Sequence, residues 1–83
     1  MDQVRNYFKK VSTNFNRINL NELIVSGMPT IKNTRIPINI ILSCLKDEMT
    51  FDEIAMDYNI SKDDIVEALE YSTELLTRAY MDE

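Results

Sequence analysis

Two hexapeptides, MTFDEI at 49–54 and ISKDDI at 60–65, spell out the same kind of helix start. In each, a hydroxyl residue (Thr50, Ser61) can cap a new helix and an acid three positions on (Glu53, Asp64) can reach back to the cap. Apolar residues flanking the join (Met49 with Ile54, Ile60 with Ile65) can close over it. Two such signals so close together leave room for a short helix at about 51–58, a turn at Asn59 and a longer helix behind it. Ala55 faces inward on the short helix, where a small side chain lets the next helix cross closely. A short helix, a tight turn and a longer helix outline a helix-turn-helix at about 51–70.

The remaining segments fit round that unit. Val4, Tyr7, Phe8, Val11 and Phe15 recur at helical spacing, which predicts an amphipathic helix over about 2–15 with Asp2 as N-cap. Between Asn16 and Ile36 the helical period fails. Gly27, Pro29 and several Asn residues break the chain into short β-prone pieces, expected to pair as a small hairpin across Asn33, a residue that tolerates left-handed backbone. Pro37 then opens a central helix over 38–46, with Ile38, Ile41, Leu42 and Leu45 on one stripe and Ile40 and Cys44 on another, so that it is buried on two sides. The expected fold class is mainly α: a small helical helix-turn-helix domain with a short β-hairpin before the central helix. The 83 residues are read as one domain, with an N-terminal helix in 1–16, a loop and hairpin in 17–36 and a three-helix region in 37–83.

The last helix, over about 62–80, carries two apolar stripes. Ile65, Leu69, Leu76 and Tyr80, with Thr73 between them, form one; Ala68, Tyr71, Leu75 and Ala79 form the other. In so small a chain one stripe serves the core and the second faces another protein.

Charge divides the chain. Residues 1–46 hold seven basic and two acidic side chains, whereas 47–83 hold two basic and twelve acidic ones. The start of the last helix, where a groove-reading helix would meet phosphates, carries Asp63, Asp64, Glu67 and Glu70 against Lys62. Unaided groove reading by this helix is therefore disfavoured. Nucleic-acid contacts, if made, fall to Arg5, Lys9, Lys10, Arg17, Lys32 and Arg35.

Catalysis lacks parts. The chain has no His, one Cys and one Gly, which removes the common metal-ligand sets, a redox pair and a phosphate-cradling loop. Its adjacent acids sit at helix starts, where they favour the helix dipole. No enzyme activity, cofactor or metal is expected. A lone cysteine and the lack of an apolar run long enough for a leader or a membrane span point to a cytoplasmic protein.

The stretch from Ser26 to Tyr71 resembles the bacterial domain-of-unknown-function family 433. The resemblance is carried by Gly27 and Pro29, by Thr34, Arg35, Ile36 and Pro37, by Ile54 and Tyr58, and by Asp64, Ile65, Ala68, Leu69 and Tyr71. It implies a homeodomain-like or winged-helix-like helical domain, often dimeric, and the antitoxin half of a two-gene toxin–antitoxin module whose partner is often a PIN-like ribonuclease. Two positions depart from the pattern. Asn33 replaces a Gly but suits the same backbone, whereas Glu48, where a Gly commonly closes the central helix, implies a different or longer connection.

The expected function is thus a non-catalytic, antitoxin-like protein-binding module. It forms a homodimer and neutralises a toxin encoded by the adjacent gene, with weak autoregulatory DNA binding. Glu67, Glu70, Tyr71, Leu75 and Ala79 are the expected partner-binding residues. The alternatives are a helix-turn-helix transcriptional regulator and an acidic inhibitor of a nucleic-acid-binding enzyme.

Overall fold

The computed structural model describes residues 2–81, the side chain of Asp2 excepted. Four helices run in the order α1 (Asp2–Ser12), α2 (Ile38–Lys46), α3 (Phe51–Tyr58) and α4 (Lys62–Met81), and two short strands, β1 (Ile18–Asn19) and β2 (Thr30–Ile31), lie between the first two. The fold is mainly helical, with a two-stranded antiparallel piece ahead of the central helix.

Both capping boxes form. Thr50 Oγ1 accepts from the Glu53 backbone N–H at 3.1 Å while Glu53 accepts from the Thr50 N–H at 2.8 Å. Ser61 and Asp64 repeat the exchange at 3.1 and 3.0 Å. Each box satisfies two N–H groups that a helix start otherwise leaves without partners. Ile54 and Ile65, four residues past each cap, are fully buried, and Met49 and Ile60 pack against the same core.

Helix α1 is shorter than its apolar spacing predicts. The hydroxyls of Ser12 and Thr13 donate back to the carbonyls of Lys9 and Lys10, at 2.6 and 2.7 Å, and the backbone tightens into i→i−3 bonds at Thr13 and Asn14. These local bonds compete with helix propagation. The chain turns there, and Phe15 meets Tyr71 edge-on, with ring centroids 5.6 Å apart. The Asp2 side chain, read as the cap of this helix, lies outside the described residues.

The core consists of Val11, Ile18, Ile31, all three buried positions of α2 (Ile38, Ile41, Cys44), Ile54, and Ile65, Ala68 and Tyr71 of α4. Tyr71 is its largest member, and its buried hydroxyl donates to the Phe8 carbonyl at 2.9 Å. Burial pushes the phenol's pKa well above its ordinary value, so this group remains a neutral donor.

The strands pair differently from a simple hairpin across Asn33. Asn33 does take left-handed backbone (φ 65°), and its turn is closed by the Ile31 N–H on the Ile36 carbonyl at 3.0 Å and by a single bridge between Thr30 and Pro37. Pro37 has no N–H to extend that ladder. The two-residue ladder instead joins Ile18 to Ile31 and Asn19 to Thr30, so β1, at the start of the irregular segment, supplies the partner strand.

Glu48 does not change the connection after α2. It adopts the left-handed conformation of the glycine it replaces (φ 68°), with its N–H on the Leu45 carbonyl at 3.0 Å and the Met49 N–H on the Cys44 carbonyl at 3.1 Å. This is the Schellman closure that a Gly usually makes, held by a residue with a Cβ. Glu48→Gly is therefore expected to raise stability by about 1 kcal/mol, moving the thermal midpoint up by roughly 4–8 °C. Circular-dichroism melting measures it.

Candidate functional site

The surface with the most unusual chemistry lies along α4. Arg17, on the turn ahead of β1, reaches the first turns of the helix and meets three carboxylates. Its Nη1 lies 3.0 Å from Asp64 Oδ1, its Nη2 3.7 Å from Asp63 Oδ2 and its Nε 3.5 Å from Glu67 Oε2. The backbone holds it there, because the Arg17 carbonyl accepts the Lys32 N–H at 2.7 Å. Asp64 and Glu67 are largely covered, each with 16% of its side chain exposed. Lys62 is occupied too, its Nζ 2.6 Å from Asp52 Oδ1.

The acids at the start of α4 are thus partly compensated from within the fold, sharing Arg17 as their common counter-ion. Burial alone would raise the pKa of Asp64, but the Ser61 backbone N–H, the Arg17 guanidinium and the Ser61 hydroxyl together hold it below the ordinary carboxylate value. The Arg17 pKa is raised, chiefly by its hydrogen bond to Asp64.

Beyond the cluster, the two apolar stripes of α4 have distinct fates. Ala68 and Tyr71 are buried, and Leu75 packs against the core, where its carbonyl accepts the Tyr7 hydroxyl. Tyr71 is therefore a core residue and not a partner face, and Leu75, partly buried, packs against that core. The reason is α1: its aromatic residues occupy the surface that sequence reading left for another chain. The other stripe divides: Ile65 is fully buried in the core, and Leu76 and Tyr80 face outward. Val66, Leu69, Thr73, Leu76 and Tyr80 follow one another at alternating three- and four-residue steps, the spacing of a helix–helix seam. Leu76 and Tyr80 are 75% and 80% exposed, and Val66 is exposed as well. Glu70 lies beside this stripe and is also exposed, and Glu74 is paired one turn on with Arg78 at 3.1 Å. Ala79, exposed near the helix end, is the remaining expected contact residue on the surface.

The six basic candidates are not brought together. Arg5 pairs with Glu22 at 3.4 Å, and Arg17 is held by the acidic cluster. Lys9 and Lys10 are exposed on α1; Lys32 and Arg35 are exposed on the Asn33 turn. Among the described residues, no helix is long and apolar enough to cross a membrane, and no group of three or more His, Cys, Asp or Glu could hold a metal ion.

Val66 and the outward role of Leu76 and Tyr80 were missed from the sequence. The signal was present as the alternating three-and-four spacing, but it identifies a seam without saying which side of the helix the core takes.

The family model described as a protein of unknown function (DUF433) matches residues 18–72. The match starts at Ile18 and so takes in β1 as well as the helix-turn-helix. A crystal structure of a DUF433 member protein from Anabaena variabilis is similar in fold, with a TM-score of 0.69 and 23% identity over 98% of this chain and 78% of that one. Helix α1, ahead of the family match, falls within that shared fold. No curated protein matches the chain.

The depressed Asp64 pKa fixes a sign. A carboxylate whose pKa is lower folded than unfolded contributes stability that is complete above the unfolded value, about 3.9, and is lost as pH falls through the folded one. Asp64→Ala is expected to cost about 1 kcal/mol at pH 7, through the lost cap, and to flatten the decline in stability below about pH 5. Urea unfolding across pH reads both effects.

Proposed function

We propose that this chain, which belongs to the DUF433 family, is a non-catalytic protein-binding module of the antitoxin type. The outer stripe of α4 is its docking face. The observation that carries this reading is the exposure of Leu76, Tyr80 and Val66 along one seam of a helix whose other side already packs into the core through Ala68, Tyr71 and Leu75. An apolar seam of that length on a small domain is a surface for another helix or groove. Glu70 beside it favours a partner with basic residues at the rim, where charge steers encounter and excludes wrong partners. A ribonuclease toxin, whose substrate surface must be positive, fits that chemistry, and the family resemblance implies one in the adjacent gene.

The acids at the start of α4 support the reading in a different way. Asp64 closes a capping box and shares Arg17 with Asp63 and Glu67, so this helix end is already satisfied internally and offers no vacant anion site for a DNA phosphate. The helix-turn-helix serves here as a scaffold that orients a long helix.

The test is co-expression with the product of the adjacent gene, followed by affinity measurement on the isolated pair. Leu76→Asp is expected to weaken the complex at least about tenfold, about 1.4 kcal/mol, with the melting temperature of the free domain unchanged. Glu70→Lys is expected to slow association and reduce its salt dependence. Unaltered affinity in Leu76→Asp would overturn this face as the site of docking.

A further inference from the structure

We infer that the Asn33 turn and the end of α3 together form a nucleotide-binding site, separate from the α4 face and independent of the role proposed for it. A shallow depression of about 730 Å³ opens there, lined by Ile24, Asn33, Arg35, Ile36, Tyr58 and Asn59.

Arg35 is the central group. It is exposed, and among the described residues no carboxylate or carbonyl engages its guanidinium, in contrast to Arg5, Arg17 and Arg78, each of which is ion-paired. Its backbone is nevertheless fixed. The Thr34 hydroxyl donates to the Ile31 carbonyl at 2.7 Å and accepts the Ile36 N–H at 3.0 Å, clamping the turn on both sides of Arg35. A rigidly based, unpaired guanidinium is suited to a phosphate, which it can meet with two parallel N–H groups. Lys32, exposed on the same turn, adds a second positive charge.

The rest of the lining suits the base. Tyr58 is half-buried and its hydroxyl is tethered by the Cys44 thiol at 3.7 Å, which fixes the ring at the edge of the depression. An aromatic face of this kind stacks on nucleobases of any identity. Asn33 and Asn59 both hold left-handed backbone (φ 65° and 55°), and their side-chain amides supply donors and acceptors for a base edge. Ile24 and Ile36 form apolar walls. Two features oppose an anion here, the neighbouring Asp57 and the carbonyl end of α3, although the Asn59 and Ile60 N–H groups both bond the Ala55 carbonyl. Binding therefore depends on Arg35 and weakens steeply with salt.

The experiment is an NMR titration of the full chain at low salt with three probes: adenosine monophosphate, a single-stranded oligonucleotide and a duplex. Shifts are expected to cluster at Asn33, Arg35, Tyr58 and Asn59, with Arg35→Ala weakening binding about tenfold and Arg35→Lys retaining part of it. Saturation by the mononucleotide identifies a free nucleotide as ligand; response to the strands alone identifies nucleic acid. Leu76→Asp, on the other face, should leave every shift in place, so failure of the docking face and failure of this site are told apart. Shifts confined to Lys9 and Lys10 on α1, equal binding by Arg35→Ala, or no response to any probe would overturn the site.

Discussion

Arg17 holding Asp63, Asp64 and Glu67 is the contact that ties the irregular segment to the long helix. It links the turn before β1 to the start of α4, elements far apart in sequence, and it does so where a helix-turn-helix would normally keep an open, anion-attracting helix end. Because the guanidinium meets three carboxylates, two of them mostly covered, the cluster also fixes how the irregular segment lies over the helix. Exposed single ion pairs contribute little, but a shared, partly buried network with a capping box inside it is harder to open. The acids at this end of α4 thus serve the fold first.

Once that end is closed, the remaining chemistry of α4 is set by what α1 covers. Tyr7 bonds the Leu75 carbonyl, and Tyr71 bonds the Phe8 carbonyl and meets Phe15 edge-on. The aromatic contacts draw one side of α4 into the core and leave the side with Val66, Leu69, Leu76 and Tyr80 outward. A twenty-residue helix extends well past a core this small, so its last turns present Leu76 and Tyr80 to solvent. Unaided, that exposure is unfavourable. A partner chain covering the seam would remove it, which is the physical ground for the docking proposed there.

The sequence was most legible where structure is decided locally. The Thr50 and Ser61 boxes, the bounds of α2 and α3, the left-handed Asn33 and the turn at Asn59 all follow from side chains within a few residues of the feature. It was least legible where a distant segment decides. Tyr71 and Leu75 read as a partner face because the amphipathic pattern of α4 carries no record of α1 docking on it. Arg17 read as a phosphate contact because its three acidic partners lie more than forty residues away. Glu48 read as a changed connection, yet the helix end imposes the glycine conformation and Glu48 accepts its strain. The pairing of β1 with β2 was hidden for a similar reason, since two-residue strands leave almost no alternation to detect.

The most direct measurement is methyl NMR of Val, Leu and Ile side chains in the free domain and in complex with the product of the adjacent gene. Inner and outer faces of the same helix then report separately. Shifts at Val66, Leu69 and Leu76, with Ile65 and Leu75 unmoved, are the result expected if the outer seam docks the partner. Shifts at Ile65 and Leu75 with Leu76 unchanged, or no shift at any α4 methyl in a formed complex, would contradict it.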